Sequence, residues 1–266
     1  MKLSVTIYSL HNYIGKGEMD VKGFIEYCAG LGAPAVDLGY FWKDEATEIP
    51  QARQWLKDNG LQLGAYITRG DFTKQDPGER AEQIDILKKA VDAAAQMKAP
   101  ALRVFAGNGW PGAKFEDVRD WVIEGHKQVA AYAEKKGVVL GLENHGRLCG
   151  TIHAIRTIVE GVGSENFGVT FDTGNWVGAG EDPVQAAREF AKETVYVHVK
   201  DIKKTDDRNR SCIVGQGFVD IAGCARILKD AGYSGWYSLE YEAPEDEKVG
   251  VPKSLEAMRR LLAGLA

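Results

Sequence analysis

Short apolar, β-rich runs recur eight times along this chain, and a longer stretch of helical character separates each from the next. The runs are Leu3–Ser9, Ala35–Leu38, Leu61–Ile67, Ala101–Phe105, Val138–Glu143, Gly168–Asp172, Val195–Val199 and Trp236–Glu240. Between them, apolar residues return at helical spacing, as in Arg80–Met97 (Ile84, Leu87, Val91, Ala94) and Val118–Lys135 (Val122, Val129, Tyr132). Several helical stretches stop at a glycine just before the next strand, at Gly60, Gly137 and Gly232, where a left-handed cap is expected. Strands separated by helices imply parallel βαβ crossovers. Eight units within 266 residues fit one closed (β/α)8 TIM barrel, a fold of about 250 residues, better than an open doubly wound sheet. No linker or low-complexity tract divides the chain, so residues 1–266 read as a single α/β domain. The longest irregular stretch, Lys203 to Gly217, follows strand seven, where a barrel enzyme can carry a lid or substrate loop.

Charge and cysteine content exclude several classes. The net charge is −5, and no basic stripe is present to grip a nucleic-acid backbone, so no nucleic-acid partner is expected. No apolar run approaches the roughly 20 residues of a membrane span. The segment Met1–Ser9 alternates rather than forming a signal sequence. The four cysteines (Cys28, Cys149, Cys212, Cys224) lack metal-site or disulfide-framework spacing. A reduced, cytoplasmic setting is the expectation. A homo-oligomer is compatible with the sequence.

Function enters with the last four strands. Strand five ends Gly141-Leu142-Glu143 before Asn144-His145-Gly146. Strand six ends Phe171-Asp172 before Thr173-Gly174-Asn175. Strand seven reads Val197-His198-Val199-Lys200-Asp201, and strand eight ends Ser238-Leu239-Glu240. In a barrel, C-terminal strand ends converge on the rim that carries the active site. Taken alone, a strand-end acid is more often a helix N-cap or an ion-pair partner. Four consecutive strands each offering a ligand-type residue are harder to explain without a cation, because the crowded carboxylates would repel and be costly to desolvate. Glu143, Asp172, His198 and Glu240 therefore read as one divalent-metal site. Three carboxylates and an imidazole suit Mn²⁺ first, with Co²⁺, Mg²⁺ and Zn²⁺ also compatible.

With the segments "GLENHG", "FDTGN", "HVKD" and "SLEYE" around these residues, the chain resembles the xylose-isomerase-like TIM barrel superfamily. That group includes tagatose epimerases, hydroxypyruvate isomerases, inosose dehydratases and endonuclease IV. The resemblance implies a divalent-metal-dependent sugar isomerase or epimerase that abstracts a proton α to a carbonyl through a metal-stabilised enediolate. By the same resemblance, Glu143 and Glu240 are the acid–base pair as well as metal ligands. Expulsion of a β-hydroxyl from the same constellation would make it a dehydratase or lyase acting on a keto-sugar, inosose or 3-keto-glycoside. The expected partner is a small sugar or polyol. A non-catalytic sugar-binding barrel is the alternative of another class, since binding and active sites share the same rim.

Neighbouring residues divide between substrate and scaffold. His145 and Asn175 follow ligand positions closely and are candidates to face the substrate. Lys200 could polarise a substrate oxygen or complete an ion pair. Arg103, like Arg147, could hold a hydroxyl or acidic group or pair at the edge of the core. Trp110 and Trp176, with Trp42, fall just after strands, where an aromatic face can pack on a sugar ring. Asp201 could orient a ligand from behind or join an ordinary salt bridge. Gly215-Gln216-Gly217 reads as a loop entering the helix after Asp220 rather than a phosphate cradle. The chain departs from many ketohexose epimerases at three places. Asn175 stands where they carry histidine, Lys204 where they often carry arginine, and Gly146-Arg147-Leu148 lacks their second loop glutamate. An endonuclease IV-like site would need many more histidines than the five present, and a basic face.

Overall fold

A strand buried on both faces needs an almost continuously apolar sequence, and that is what the eight runs supply. In the computed structural model, which describes residues 1–206 and 208–265, they form β1 (Lys2–Thr6), β2 (Ala35–Gly39), β3 (Gln62–Ile67), β4 (Leu102–Val104), β5 (Leu140–Glu143), β6 (Phe167–Asp172), β7 (Thr194–Val199) and β10 (Trp236–Leu239). All eight pair in parallel in one closed barrel, with β1 bonded to β2 on one side and to β10 on the other. Every residue of β2, β5, β6 and β10 is buried.

The helices that return the chain between strands are amphipathic. In Pro77–Met97 the residues Leu87, Val91 and Ala94 are buried, and Phe115–Lys136 does the same with Val122 and Val129. Local chemistry sets the ends of both helices. Asp76 accepts from the backbone N–H of Gly78 and Glu79 ahead of Pro77. Gly137 closes the second helix at φ +68°, a left-handed conformation that costs glycine little.

Two regions differ from the reading of the sequence. The first strand stops at Thr6, and Ile7–Leu10 turns into a 3₁₀ segment that feeds the short helix His11–Gly15. The stretch after β7, expected to be irregular, instead begins with an antiparallel hairpin of β8 (Asp201–Lys204) and β9 (Asn209–Cys212). Lys203–Arg210 and Lys204–Asn209 face each other in register there, so pairing continues where no apolar alternation announced it. The four cysteines are all buried and unbridged. No described helix is long and apolar enough to cross a membrane.

Candidate metal centre and cavity

Glu143 and Asp172 end β5 and β6, His198 is the penultimate residue of β7, and Glu240 follows the last residue of β10. Strand register puts Asp172 opposite His198, and Ser238, two residues before Glu240, also opposite His198. Because side chains alternate along a strand, residues two apart share a face, so all four side chains turn into the barrel mouth. Each offers one ligand atom, and these atoms lie within 4.8 Å of one another. All four residues are at most 5% exposed.

The surroundings fix each carboxylate by one oxygen. Asp172 Oδ1 accepts from the backbone N–H of Gly174 at 2.8 Å and of Asn175 at 2.7 Å. Asn175 donates its side-chain amide to Glu143 Oε1 at 3.0 Å and accepts from Lys200 Nζ at 3.1 Å. Glu143 Oε2 lies 3.2 Å from both Arg103 Nε and His198 Nδ1. Lys200 Nζ is 2.8 Å from Glu240 Oε2 and 2.7 Å from Glu242 Oε2. Asn144 ties the rim together, donating to the Asp172 carbonyl and accepting from the Asp172 N–H.

Several buried polar atoms nevertheless have no hydrogen-bond partner: Glu143 Oε2, Asp172 Oδ2 and both ring nitrogens of His198. Unpartnered polar atoms are rare in a protein interior, and these four sit together in one small cluster. The charges point the same way. Among the described residues, five carboxylates (Asp37, Glu143, Asp172, Glu240, Glu242) are paired with three cationic groups, Arg103, Lys200 and His198. Burial pushes the Asp172 carboxyl up to about 8, with Lys200 opposing and the neighbouring glutamates reinforcing the shift. Burial disfavours the His198 cation, but Glu240 and Glu143 outweigh it and lift the imidazole to about 9. Burial opposes ionisation of Glu240, yet Lys200, His198 and Arg103 together hold it well below the usual carboxylate range. Excess acid, oxygen-rich donors and unfilled ligand atoms are what a divalent cation would satisfy, so the residues present fit one.

A cavity of about 450 Å³ opens against Glu143 and Glu240. Arg103 and His145 line it as well; Phe105 lies between them, 4.0 Å below the guanidinium and 4.3 Å from the imidazole. Of the two readings of Lys200, the structure shows the ion pair. Arg103 is paired with Glu143 and also faces the cavity, donating to the Thr68 carbonyl at 3.0 Å. Asn175 sits behind Glu143 and bridges it to Lys200. Trp176, expected near a sugar ring, is instead fully buried between Phe171 and Phe190, on the inward side of the short helix Asn175–Ala179 that follows β6. Trp110 packs on Trp121 away from the cavity lining, and Trp42 donates to the Tyr66 hydroxyl. Asp201 opens β8. Its carboxylate accepts from the backbone N–H groups of Ile202, Gly215, Gly217 and Val219 and so holds the loop that follows the hairpin.

The cavity also takes residues that the sequence reading passed over, among them Tyr8, Tyr40, Arg69, Asn108 and Glu242. A signal existed for some. Glu242 lies two residues past Glu240 on the same alternation, and Tyr40 and Arg69 stand just beyond β2 and β3, the positions that face a barrel's active rim.

Comparison with known proteins adds an independent line. The sequence profile of the xylose isomerase-like TIM barrel matches residues 25–261. A provisionally assigned hydroxypyruvate isomerase of Streptomyces coelicolor is 26% identical over 243 residues, covering 82% of this chain and 84% of that protein. An inosose dehydratase of Clostridium perfringens is 26% identical over 147 residues, 49% of each chain. Among solved structures, the IolI protein with a bound zinc atom superposes with a TM-score of 0.80 at 18% identity, covering 100% of this chain and 98% of that one. At that identity the likeness speaks for the fold.

Proposed function

The chain belongs to the xylose isomerase-like TIM barrel family, and from that premise we propose a divalent-metal-dependent isomerase or epimerase of a small keto-sugar or related polyol. The observation that carries this reading is the set of four buried ligand atoms within 4.8 Å of one another, two of whose residues, Glu143 and Glu240, line the cavity. Glu143, Asp172, His198 and Glu240 would hold the cation. A cation bound there supplies a Lewis acid that polarises a substrate carbonyl and acidifies the neighbouring C–H.

The chain's own residues then provide the proton chemistry. Glu143 and Glu240 both border the cavity, and each has one oxygen steadied by a neighbour, Oε1 of Glu143 by Asn175 and Oε2 of Glu240 by Lys200. Arg103 and Lys200 keep the two glutamates ionised and able to accept a proton, against the burial that opposes it. One glutamate removes the proton α to the carbonyl. If the other glutamate has first taken up a proton from solvent, its delivery to the opposite face inverts that centre, whereas return of the abstracted proton by the first glutamate to the adjacent carbon moves the carbonyl. Arg103, His145 and Glu242 border the same space and can orient substrate hydroxyls.

A second reading, dehydration of an inosose or another keto-polyol, is supported by the Clostridium perfringens inosose dehydratase and by the Lys200–Glu242 pair. That pair places a further carboxylate and the Lys200 ammonium beside Glu240, and the ammonium carries the proton that a leaving hydroxyl requires. The test is incubation of metal-loaded protein in D₂O with ketoses, aldoses, inososes and 3-keto-sugars, followed by NMR. Deuterium at an α-carbon of an isomeric product supports the isomerase, and loss of a hydroxyl supports the dehydratase. No exchange with any of them, with the metal verified in place, would sink both and leave a sugar-binding barrel.

A further inference from the structure

Below the cluster, inside the barrel, lies another buried carboxylate that the proton chemistry leaves unused. Asp37 stands on β2 where its pairing with β3 slips register, between Val36 and Leu38. Such irregularities re-aim a side chain. Asp37 is fully buried and reaches across the barrel interior. Its Oδ1 accepts from the hydroxyls of Ser4 on β1, at 2.5 Å, and Tyr196 on β7, while Oδ2 accepts from Ser238 on β10, at 2.5 Å. β3 contributes open space instead of a side chain. A Cβ on Gly64 would fall 2.5 Å from Asp37 Oδ1, 2.6 Å from Ser4 Oγ and 2.8 Å from the Tyr196 hydroxyl.

A carboxylate has about four acceptor positions, and three are filled here. The remaining one belongs to Oδ2, which lies 3.9 Å from Nε2 of His198. That nitrogen is buried and has no hydrogen-bond partner. The other ring nitrogen, Nδ1, faces Glu143 at 3.2 Å and Glu240 at 3.5 Å. An unfilled acceptor and an unpartnered ring nitrogen therefore meet on the side of His198 turned away from the cluster.

We propose that Asp37 is a positioning residue for the metal centre, taking the Nε2–H of His198 so that Nδ1 presents its lone pair to the cation. A neutral imidazole carries one N–H, and the partner of that N–H decides which nitrogen is free to ligate. The observed separation is that of an ion pair, and about one ångström of ring movement brings it into hydrogen-bond range. The inference rests on the metal centre proposed above.

Zinc is the probe, because it is diamagnetic and permits both calorimetry and NMR. In zinc-loaded, ¹⁵N-labelled wild-type protein, long-range ¹H–¹⁵N correlations should place the proton of His198 on Nε2 and the metal on Nδ1. Asp37→Asn keeps the shape but exchanges the charge for an amide. It should shift or abolish that Nε2–H resonance and raise the zinc dissociation constant roughly 10- to 100-fold. Gly64→Ala, which crowds the hydroxyl cluster without changing charge, should move the same resonance. A proton on Nδ1 in the wild-type protein overturns the assignment without any variant having to fold. So does Asp37→Asn with unchanged affinity and an unchanged resonance. If the wild-type protein binds no zinc, the metal centre falls and this inference with it, whereas zinc bound through Nε2 removes only the role of Asp37.

Discussion

Strands β5, β6, β7 and β10 bring Glu143, Asp172, His198 and Glu240 to the rim, all buried and cross-linked through Asn144, Asn175 and Lys200. The segments after β1, β2, β3 and β4 bring Tyr8, Tyr40, Arg69 and Phe105, which stay partly open to solvent. They pack largely through ring faces: Tyr8 against His11 at 4.5 Å, and the Arg69 guanidinium over Tyr40 at 4.4 Å. Arg103 of β4 crosses over to pair with Glu143. The comparison shows how one barrel divides its labour. The buried half fixes charge and protons, where small displacements are costly, and the open half forms a wall that can be reshaped around a ligand at little cost to the core.

The largest effects should come from the buried half. Glu143→Gln and Glu240→Gln should each lower turnover by about 10³-fold, within the range of a lost general base, and both should weaken metal binding. Steady-state rates with bound metal quantified would check this, and near-normal activity in either variant would break the two-glutamate scheme. Chelation should abolish activity. Zinc or manganese added back at about 100 times its dissociation constant should stabilise the fold by about 2.7 kcal/mol, read as a higher unfolding temperature. If the metal leaves thermal stability unchanged, the cluster is not its site. In the open half, Tyr40→Ala or Arg69→Ala should raise KM about 10-fold and leave kcat within about twofold, the mark of lost uniform binding. A matching fall in kcat would erase the distinction between the halves.

The smallest effect concerns the scaffold that both halves share. His126 is buried between Phe72 and Phe167, with Nδ1 2.8 Å from the Val122 carbonyl, and burial lowers its pKa to about 4. A base depressed on folding contributes stability that is present above its unfolded pKa of about 6.5 and is lost as pH falls toward 4. About 1 kcal/mol should be gone by pH 5.5. Denaturant melts of His126→Gln at pH 8 and 5.5 should show a smaller drop between the two than the wild-type protein, and an equal drop would assign the acid sensitivity elsewhere.

The same contrast explains what could be read from the sequence. All eight barrel strands were legible because β-rich runs alternate with helix-period stretches, and the candidate ligand cluster was legible because a metal-type residue lies at or near the end of each of four apolar runs. The wall was not, since tyrosine, phenylalanine and arginine after a strand look like ordinary packing or surface residues. Trp176 shows the opposite failure: its position after β6 suggested a ligand face, but the side chain packs inward there. Asp37 was invisible for a further reason. Its meaning lies in hydroxyls contributed by β1, β7 and β10, far apart in sequence and joined only by closure of the barrel.

Closure has another result. A sealed barrel presents no unpaired strand edge to a neighbouring molecule, so β8 and β9 bring back the hazard of edge-to-edge aggregation. The loop gathered by Asp201 covers part of one edge, where the Phe218 N–H donates to the Ile202 carbonyl at 2.9 Å. Toward the tip the paired positions are polar or charged, Lys203 opposite Arg210 and Lys204 opposite Asn209, and charged side chains are one of the devices that blunt an exposed strand edge. The hairpin is thus where the described sheet keeps exposed strand edges, outside the closed barrel.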